Sequence, residues 1–297
     1  MTQPATLLAA TDLSAPARHA AARAALLAAA TGSALELLHV IETGPLDELR
    51  RLFAGEAAEL EARLRGQAGE AMRQLAAEIG EAAGLSPAIT VAQGLLLTEI
   101  AQRSDALDAS LVVLGAHGAN LVRHWLLGAT AGRLLRTLRR PVLVVRQVPR
   151  GPYHAVLVPV DFSPWSLAAI ALARRFAPEA TLTLLHVYQV PFEGNLRLAG
   201  VEDERIQSHR IAAQQMAHAR LHDLAAASGL APGSYRAVTV HGDAAPRILE
   251  QEEEQDADLI VMGKQGLGAV EELLLGSVAK HVLTESHCDV LIARHPG

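Results

Sequence analysis

The stretch LIVMGKQGLGAVEELLLGS (Leu259–Ser277) joins an uninterrupted apolar run to a glycine-rich segment that closes on a Gly-Ser pair. The leading apolar residues read as a strand buried on both faces, because a half-exposed strand alternates apolar and polar side chains. Gly263 is the exit of that strand, and Gly276-Ser277 opens the helix that follows. No Gly-Lys-Ser/Thr is present, so the segment is not a P-loop of the NTPase kind. Glycine lets a backbone approach an anion closely. A helix start offers unpaired amides and the positive end of a dipole, and the Ser277 hydroxyl adds a donor. Phosphate is the natural occupant of such a junction.

The same stretch has a counterpart about 148 residues earlier, LVVLGAHG at Leu111–Gly118 followed by LLGATAGRLL at Leu126–Leu135. TLLAATDLS (Thr6–Ser14) returns as AVLVPVDFS (Ala155–Ser163), and LELLHV (Leu35–Val40) returns as LTLLHV (Leu182–Val187). PVLVVR (Pro141–Arg146) returns as DVLIAR (Asp289–Arg294). A near-constant offset over the full chain marks duplication of a whole domain. The join falls near QVPRGPYH (Gln147–His154), whose prolines and glycine suit a linker. Domains are therefore expected over residues 1–148 and 149–297.

Within each half, short apolar runs alternate with helical patterns. In the second half strands are expected near Ala155–Val160, Thr181–Val187, Tyr235–His241, Leu259–Gly263 and Val290–Arg294. Helices fill Trp165–Phe176, Glu202–Ser228, Ala244–Gln255 and Ser277–Glu285. Alternation of this kind predicts an α/β fold in which each half is an open, five-stranded parallel sheet with helices on both faces. Ligands of such sheets bind outside the carboxyl ends of the strands, where the strand order reverses.

Composition narrows the function. The chain has 297 residues, 50% apolar and 20% charged, a globular balance. Aromatic residues make up 3%, which argues against base-stacking platforms, and a net charge of −6 with neither half basic argues against nucleic acid as a partner. Cys288 is the single cysteine, so an intrachain disulfide and a cysteine zinc cluster are excluded. The alanine-rich N-terminus is broken by Asp12 and Arg23 and reads as strand and helix rather than a targeting peptide. With no apolar run long enough for a membrane helix, a soluble, cytoplasmic protein is expected.

Taken together, Gly-x2-Gly, nine residues and Gly-Ser between strand and helix, beside VDFS at the first strand end, resemble the universal stress protein family, specifically its tandem two-domain members. The resemblance covers both halves. It implies two Rossmann-like domains of the adenine nucleotide alpha hydrolase-like kind, and its glycine motif is the one of ATP-binding members. By that resemblance Gly263, Gly266, Gly276, Ser277 and Val278 hold the phosphates of ATP. Asp161 faces the ribose and a Mg2+ ion, Val187 brackets the adenine, and Pro159, Val160, Met262 and Gln265 are neighbouring contacts. In the first half the corresponding positions are Ala10, Thr11, Asp12, Val40, Leu114, Gly115, His117, Gly118, Gly128, Ala129 and Thr130. Ala129 stands where the motif has a hydroxyl, with Thr130 one position on. Loss of one neutral donor costs on the order of 1 kcal/mol, which weakens a site without abolishing it.

The expected activity is that of a stress-response module regulated by nucleotide. A P-loop lysine and a second acidic metal-binding motif are missing, so binding with slow hydrolysis at most is expected, and no catalytic residue is assigned. An interaction module of the same fold that does not use nucleotide is the alternative. By the resemblance, universal stress proteins commonly dimerise through the last strand, VLVVR or VLIAR here; a tandem chain can satisfy that contact internally, a homodimer of tandem chains is the other reading, and an unidentified protein partner is expected besides. The charged segment Pro45–Ala83 is a candidate cover for the cleft or a partner surface. Lys264 reads either as a phosphate partner or as a solvated side chain.

Several motifs read as structural. His39 and His186 end matching strands. His218 and His222, at i and i+4 on a helix, suit a metal pair, but no third ligand is evident and a solvated face is expected. The acidic run EQEEEQDAD (Glu250–Asp258) reads as solvated surface. Ser14 and Ser163 read as helix N-caps.

Overall fold

In the computed structural model, residues 5–44, 51, 57–117, 128–190, 199, 201–266 and 275–294 are described. The chain divides into two compact units, Met1–Pro152 and Tyr153–Gly297. The division falls inside the Gln147–His154 segment.

The first unit runs β1 (Thr6–Ala10), α1 (Ala15–Thr31), β2 (Ala34–Glu42), α2 (Ala57–Ala83), β3 (Ala88–Gly94), α3 (Leu96–Ala106), β4 (Leu111–Gly115), α4 (Ala129–Thr137) and β5 (Val142–Val145). The second repeats it with β6 (Ala155–Pro159), α5 (Pro164–Phe176), β7 (Thr181–Tyr188), α6 (Asp203–Ala227), β8 (Tyr235–His241), α7 (Ala244–Glu254), β9 (Leu259–Gly263), α8 (Ser277–Glu285) and β10 (Asp289–Ala293). Every strand pairing within a unit is parallel, in the order β3-β2-β1-β4-β5 in the first and β8-β7-β6-β9-β10 in the second. Right-handed crossovers that run one way from β1 and the other way from β4 place helices on opposite faces of the sheet. The order reverses between β1 and β4, and between β6 and β9. A crevice opens at the carboxyl ends of those strands for purely topological reasons.

The strands are continuous apolar runs because both faces are covered. Leu7, Leu8 and Ala9 on β1 and Leu111, Val112 and Val113 on β4 are fully buried, as are Leu259, Ile260 and Val261 on β9. With few aromatics available, close helix approach substitutes for side-chain bulk. Helix α1 buries Ala17, Ala20, Ala21, Ala24 and Ala28, a small-residue face that brings it against β4. It stops at Gly32, whose φ of 63° is a left-handed cap that a Cβ would oppose.

Polar groups inside the fold hold strand and helix ends. In the first unit Glu36 of β2, almost fully buried, receives Arg103 Nε and Arg103 Nη2 of α3 at 2.6 and 2.7 Å in a two-pronged pair. In the second unit the acidic run is solvated at Glu250, Glu253, Glu254 and Asp256, as expected of it, but not throughout. Glu252 is buried, and its Oε1 accepts from His287 N and Cys288 N at 2.7 Å and from Ser286 Oγ at 3.2 Å. Asp258 accepts from His154 N and Ala155 N at 2.8 and 3.1 Å. The reason is the same for both: main-chain amides at a strand start have no partner in their own strand and need an acceptor.

Candidate functional site

Each unit turns sharply where its first strand ends. Phe162 has φ of 65° and Leu13 has φ of 66°, a left-handed conformation that costs a non-glycine residue roughly 1–2 kcal/mol. The preceding aspartate holds the turn. Asp161 Oδ1 accepts from Ser163 N at 3.0 Å, Ser163 Oγ at 2.6 Å and Ser166 Oγ at 2.9 Å. Ser166 Oγ also accepts from Asp161 N at 3.1 Å. In the first unit Asp12 Oδ1 accepts from Ser14 N and Ser14 Oγ, and Thr11 Oγ1 accepts from Leu13 N. Ala17 stands where the second unit has Ser166, so the first turn lacks that hydroxyl.

These bonds correct the reading of Ser14 and Ser163. Both occupy the N-cap position, yet neither side chain caps its helix. Each hydroxyl is committed to the aspartate two residues before it.

The first turn of the second unit faces the end of β9. A Cβ added to Gly266 would lie 2.7 Å from Asp161 Oδ2, so the carboxylate rests directly against the glycine loop. A Cβ on Gly263 would lie 2.6 Å from Trp165 Cβ of α5. Gly276 is bonded through its N–H to Lys264 O at 2.9 Å, which pins the start of α8 to the β9 exit. Absence of side chains at these three positions is therefore what lets β6, β9 and α8 converge.

Between them lies a cavity of about 550 Å³, inside the range usual for small-molecule sites. Pro159, Val160 and Asp161 line it from the β6 exit, and Val187 from the end of β7. Met262, Gly263, Gln265 and Gly266 line it from β9, and Gly276, Ser277 and Val278 from the start of α8. All the positions the resemblance gives to nucleotide in this half thus line one cavity. Trp165, Ser166, Leu185, His186, Ala244, Ile248, Lys264 and Ala279 complete it. Ser166 was within reach of sequence reasoning, five residues after Asp161 and at a helix start. Ala244 and Ile248 were not, since they arrive on α7 from the other side of the sheet.

Lys264 is neither solvated nor loop-like. It is fully buried, among the largest such side chains of the protein, and its N–H donates to Ala293 O. Its first-half counterpart is Ala116, which is also buried and accepts from Gly128 N at 2.9 Å. In that half, Ala10 ends β1, Leu114 is the last residue but one of β4, Val40 is buried on β2 and Thr11 is buried beside Asp12. A Cβ on Gly115 would meet Pro16 and Ala17 backbone atoms at 3.1–3.2 Å, so the approach of α1 to β4 repeats that of α5 to β9. His117 follows Ala116, Gly128 caps α4, and Ala129 and Thr130 are its first residues. Gly118 lies outside the described residues.

His186 and His39 each place Nδ1 2.8 Å from a carbonyl at the first strand's exit, Val160 O and Thr11 O. The His186 ring also lies 4.3 Å from the Phe162 ring, which carries the Arg220 guanidinium 4.0 Å above it. Burial lowers the pKa of His186, and Arg220 adds to that, against the opposing pull of the Val160 carbonyl and Asp161. A histidine whose pKa falls on folding binds its proton more readily in the unfolded chain. Its contribution is complete above about pH 6.5 and fades as pH drops through the folded value. The melting temperature of His186→Gln should accordingly fall less than that of wild type between about pH 7.5 and pH 5. Parallel melting curves against pH for the two proteins would show that His186 carries none of this dependence.

The universal stress protein family model matches residues 5–146 and again 152–294. The chain belongs to the universal stress protein family. It is 31% identical over 202 residues to universal stress protein Rv1996 of Mycobacterium tuberculosis, an alignment covering 64% of this chain and 60% of that one. It is 30% identical over 145 residues to universal stress protein MJ0531 of Methanocaldococcus jannaschii, covering 48% of this chain and 84% of the relative. The chain thus spans about three-fifths of the length of the mycobacterial relatives it matches. Among solved structures, a universal stress protein from Archaeoglobus fulgidus superposes with a TM-score of 0.68 at 22% identity, covering 99% of this chain and 100% of that one. That likeness establishes the fold. Among the described residues no helix is long and apolar enough to cross a membrane.

Proposed function

We propose that this protein is a stress-response module that binds an adenine nucleotide, ATP in the first instance, in the cavity of the second unit. The observation that carries the reading is the convergence of the β6 exit, the β9 glycine loop and the amino end of α8 on one cavity, with three glycines at the points of closest approach. Polyanions suit this junction because the α8 amides and dipole face it. Phosphates would rest on Gly266, Gly276, Ser277 and Val278, and the adenine would lie toward Val187.

The donor set is compatible with a Mg2+ ion held jointly by phosphate oxygens and Asp161. Among the described residues lining the cavity Asp161 is the one carboxylate, and three donors already engage its Oδ1. Such a site neutralises bound phosphate better than it drives turnover, so hydrolysis is slow and the bound nucleotide acts as a signal read by a protein partner. In the first unit, Ala129 in place of the hydroxyl and Ala17 in place of Ser166 favour a weaker second site of the same kind.

The test is to denature the purified protein and assay the nucleotide released. Adenine nucleotide should accompany wild type and be lost from the double variant Gly276→Val, Ser277→Ala. Valine at 276 has little room, since even its Cβ would lie 3.3 Å from Lys264 O and 3.5 Å from Gln265 Cα. Equal nucleotide content in both proteins would refute the site.

A further inference from the structure

Far along α6 from the cleft mouth, two imidazoles meet. His218 and His222, one helical turn apart, point Nε2 at Nε2 across 3.2 Å, with ring centroids 4.7 Å apart and the rings nearly perpendicular. Both side chains are exposed. Two nitrogens bound to one zinc ion at about 2.0–2.1 Å, and separated by the tetrahedral angle, lie roughly 3.3–3.4 Å apart. The Nε2–Nε2 separation therefore already matches a chelating bite, and a bound metal would replace the hydrogen bond between the two rings.

A second observation concerns the other face of one ring. His222 Nδ1 lies 2.5 Å from the hydroxyl of Tyr235, at the start of β8. A metal-ligating histidine usually has its remaining ring nitrogen held by a hydrogen-bonding group, which fixes the ring and its tautomer. With Nδ1–H donating to the Tyr235 oxygen, the Nε2 lone pair of His222 is the one offered toward His218. The strand is a rigid mount for that contact, as α6 packs along β7 and β8. The helix in the corresponding place of the first unit, α2, carries no histidine, so the arrangement belongs to the second unit alone.

We propose that His218 and His222 form a surface site for a divalent transition metal of the imidazole-preferring class, zinc being the best fit to the geometry, with Tyr235 as the residue that positions His222. Among the described residues no third His, Cys, Asp or Glu joins the pair. The remaining coordination positions are thus taken by exchangeable ligands, water or a donor from another molecule. This is a reversible site rather than a structural one, and it is independent of the nucleotide cleft.

Calorimetric titration of the chelator-washed, nucleotide-free full chain with Zn2+ tests it, alongside the visible spectrum on adding Co2+. Wild type should bind one equivalent that His218→Gln and His222→Gln each weaken by tenfold or more. Cobalt should give visible bands in wild type that are absent from the His218→Gln, His222→Gln double variant. Tyr235→Phe should weaken zinc about tenfold, the lower end for loss of a ligand-orienting partner. All three side chains lie at the surface or half-buried, and unchanged far-ultraviolet circular dichroism will show that each variant folds. Zinc binding of wild-type stoichiometry and affinity in the His218→Gln, His222→Gln double variant overturns the site. Wild-type affinity in Tyr235→Phe overturns the part given to the tyrosine.

Discussion

Glu252→Ala is expected to destabilise the protein by about 3 kcal/mol, and to lower its melting temperature by roughly 10 °C. One carboxylate oxygen serves three donors, the N–H groups of His287 and Cys288 and the hydroxyl of Ser286. All three sit in the tight connection from α8 to β10. Each buried amide left without an acceptor costs about 1–3 kcal/mol, while the Ser286 hydroxyl keeps Cys288 O as an acceptor at 3.1 Å, and partial entry of water into the alanine cavity keeps the total below the simple sum. Glu252→Gln keeps one acceptor oxygen for these donors but places an NH2 group at the buried Oε2 position, which has no hydrogen-bond partner among the described residues, so it should cost about 1–2 kcal/mol. Denaturant unfolding of the two variants measures the difference. A Glu252→Ala protein within 1 kcal/mol of wild type would show that the connection finds other acceptors.

Gly266→Ala should leave the fold nearly intact and reduce nucleotide affinity at least tenfold, about 1.4 kcal/mol. The new methyl would lie 2.7 Å from Asp161 Oδ2, far inside contact distance. The carboxylate is the end of a short side chain and can turn aside without displacing the core, at the cost of its own hydrogen bonds. Turning aside breaks the alignment of Oδ1 with Ser163 and Ser166, so the left-handed turn at Phe162 loses its holder. In the proposed complex the displaced carboxylate would also no longer meet the phosphates as in wild type. Nucleotide titration and thermal melting on the same preparation separate the two effects. Undiminished affinity with an unchanged melting temperature would mean that Asp161 plays no part in holding the ligand.

Much of this architecture could be read from the chain before any coordinates. The duplicated phrases TDLS and VDFS, LLHV twice, and the two glycine segments fixed the number of units and the order of their elements. The all-apolar strands gave away burial on both faces, which only a covered parallel sheet supplies. The second-unit positions drawn from the glycine motif proved to share a cavity, since strand exits and helix starts are local features and topology alone sends them to one crevice.

What escaped was decided by competition among partners, several of them distant in sequence. Glu252 looks like its acidic neighbours, and only the amides of His287 and Cys288 distinguish it. Lys264 sits among glycines, where a long polar side chain ordinarily reaches solvent, yet it is completely enclosed. Ser14 and Ser163 have the right positions for capping, but an aspartate two residues back competes for their hydroxyls at shorter range. Arg103 gave no sign of its pairing with Glu36, which lies 67 residues away in the chain.

The thiol of Cys288 is 1% exposed, and burial, reinforced by the Glu252 carboxylate, pushes its pKa well above the ordinary value. Thiolate is the species that alkylating dyes attack, so the native protein presents essentially no background to maleimide chemistry. A cysteine placed at the rim of the cleft could be tagged cleanly without first deleting the natural one, giving a fluorescent reporter of occupancy in the unaltered core.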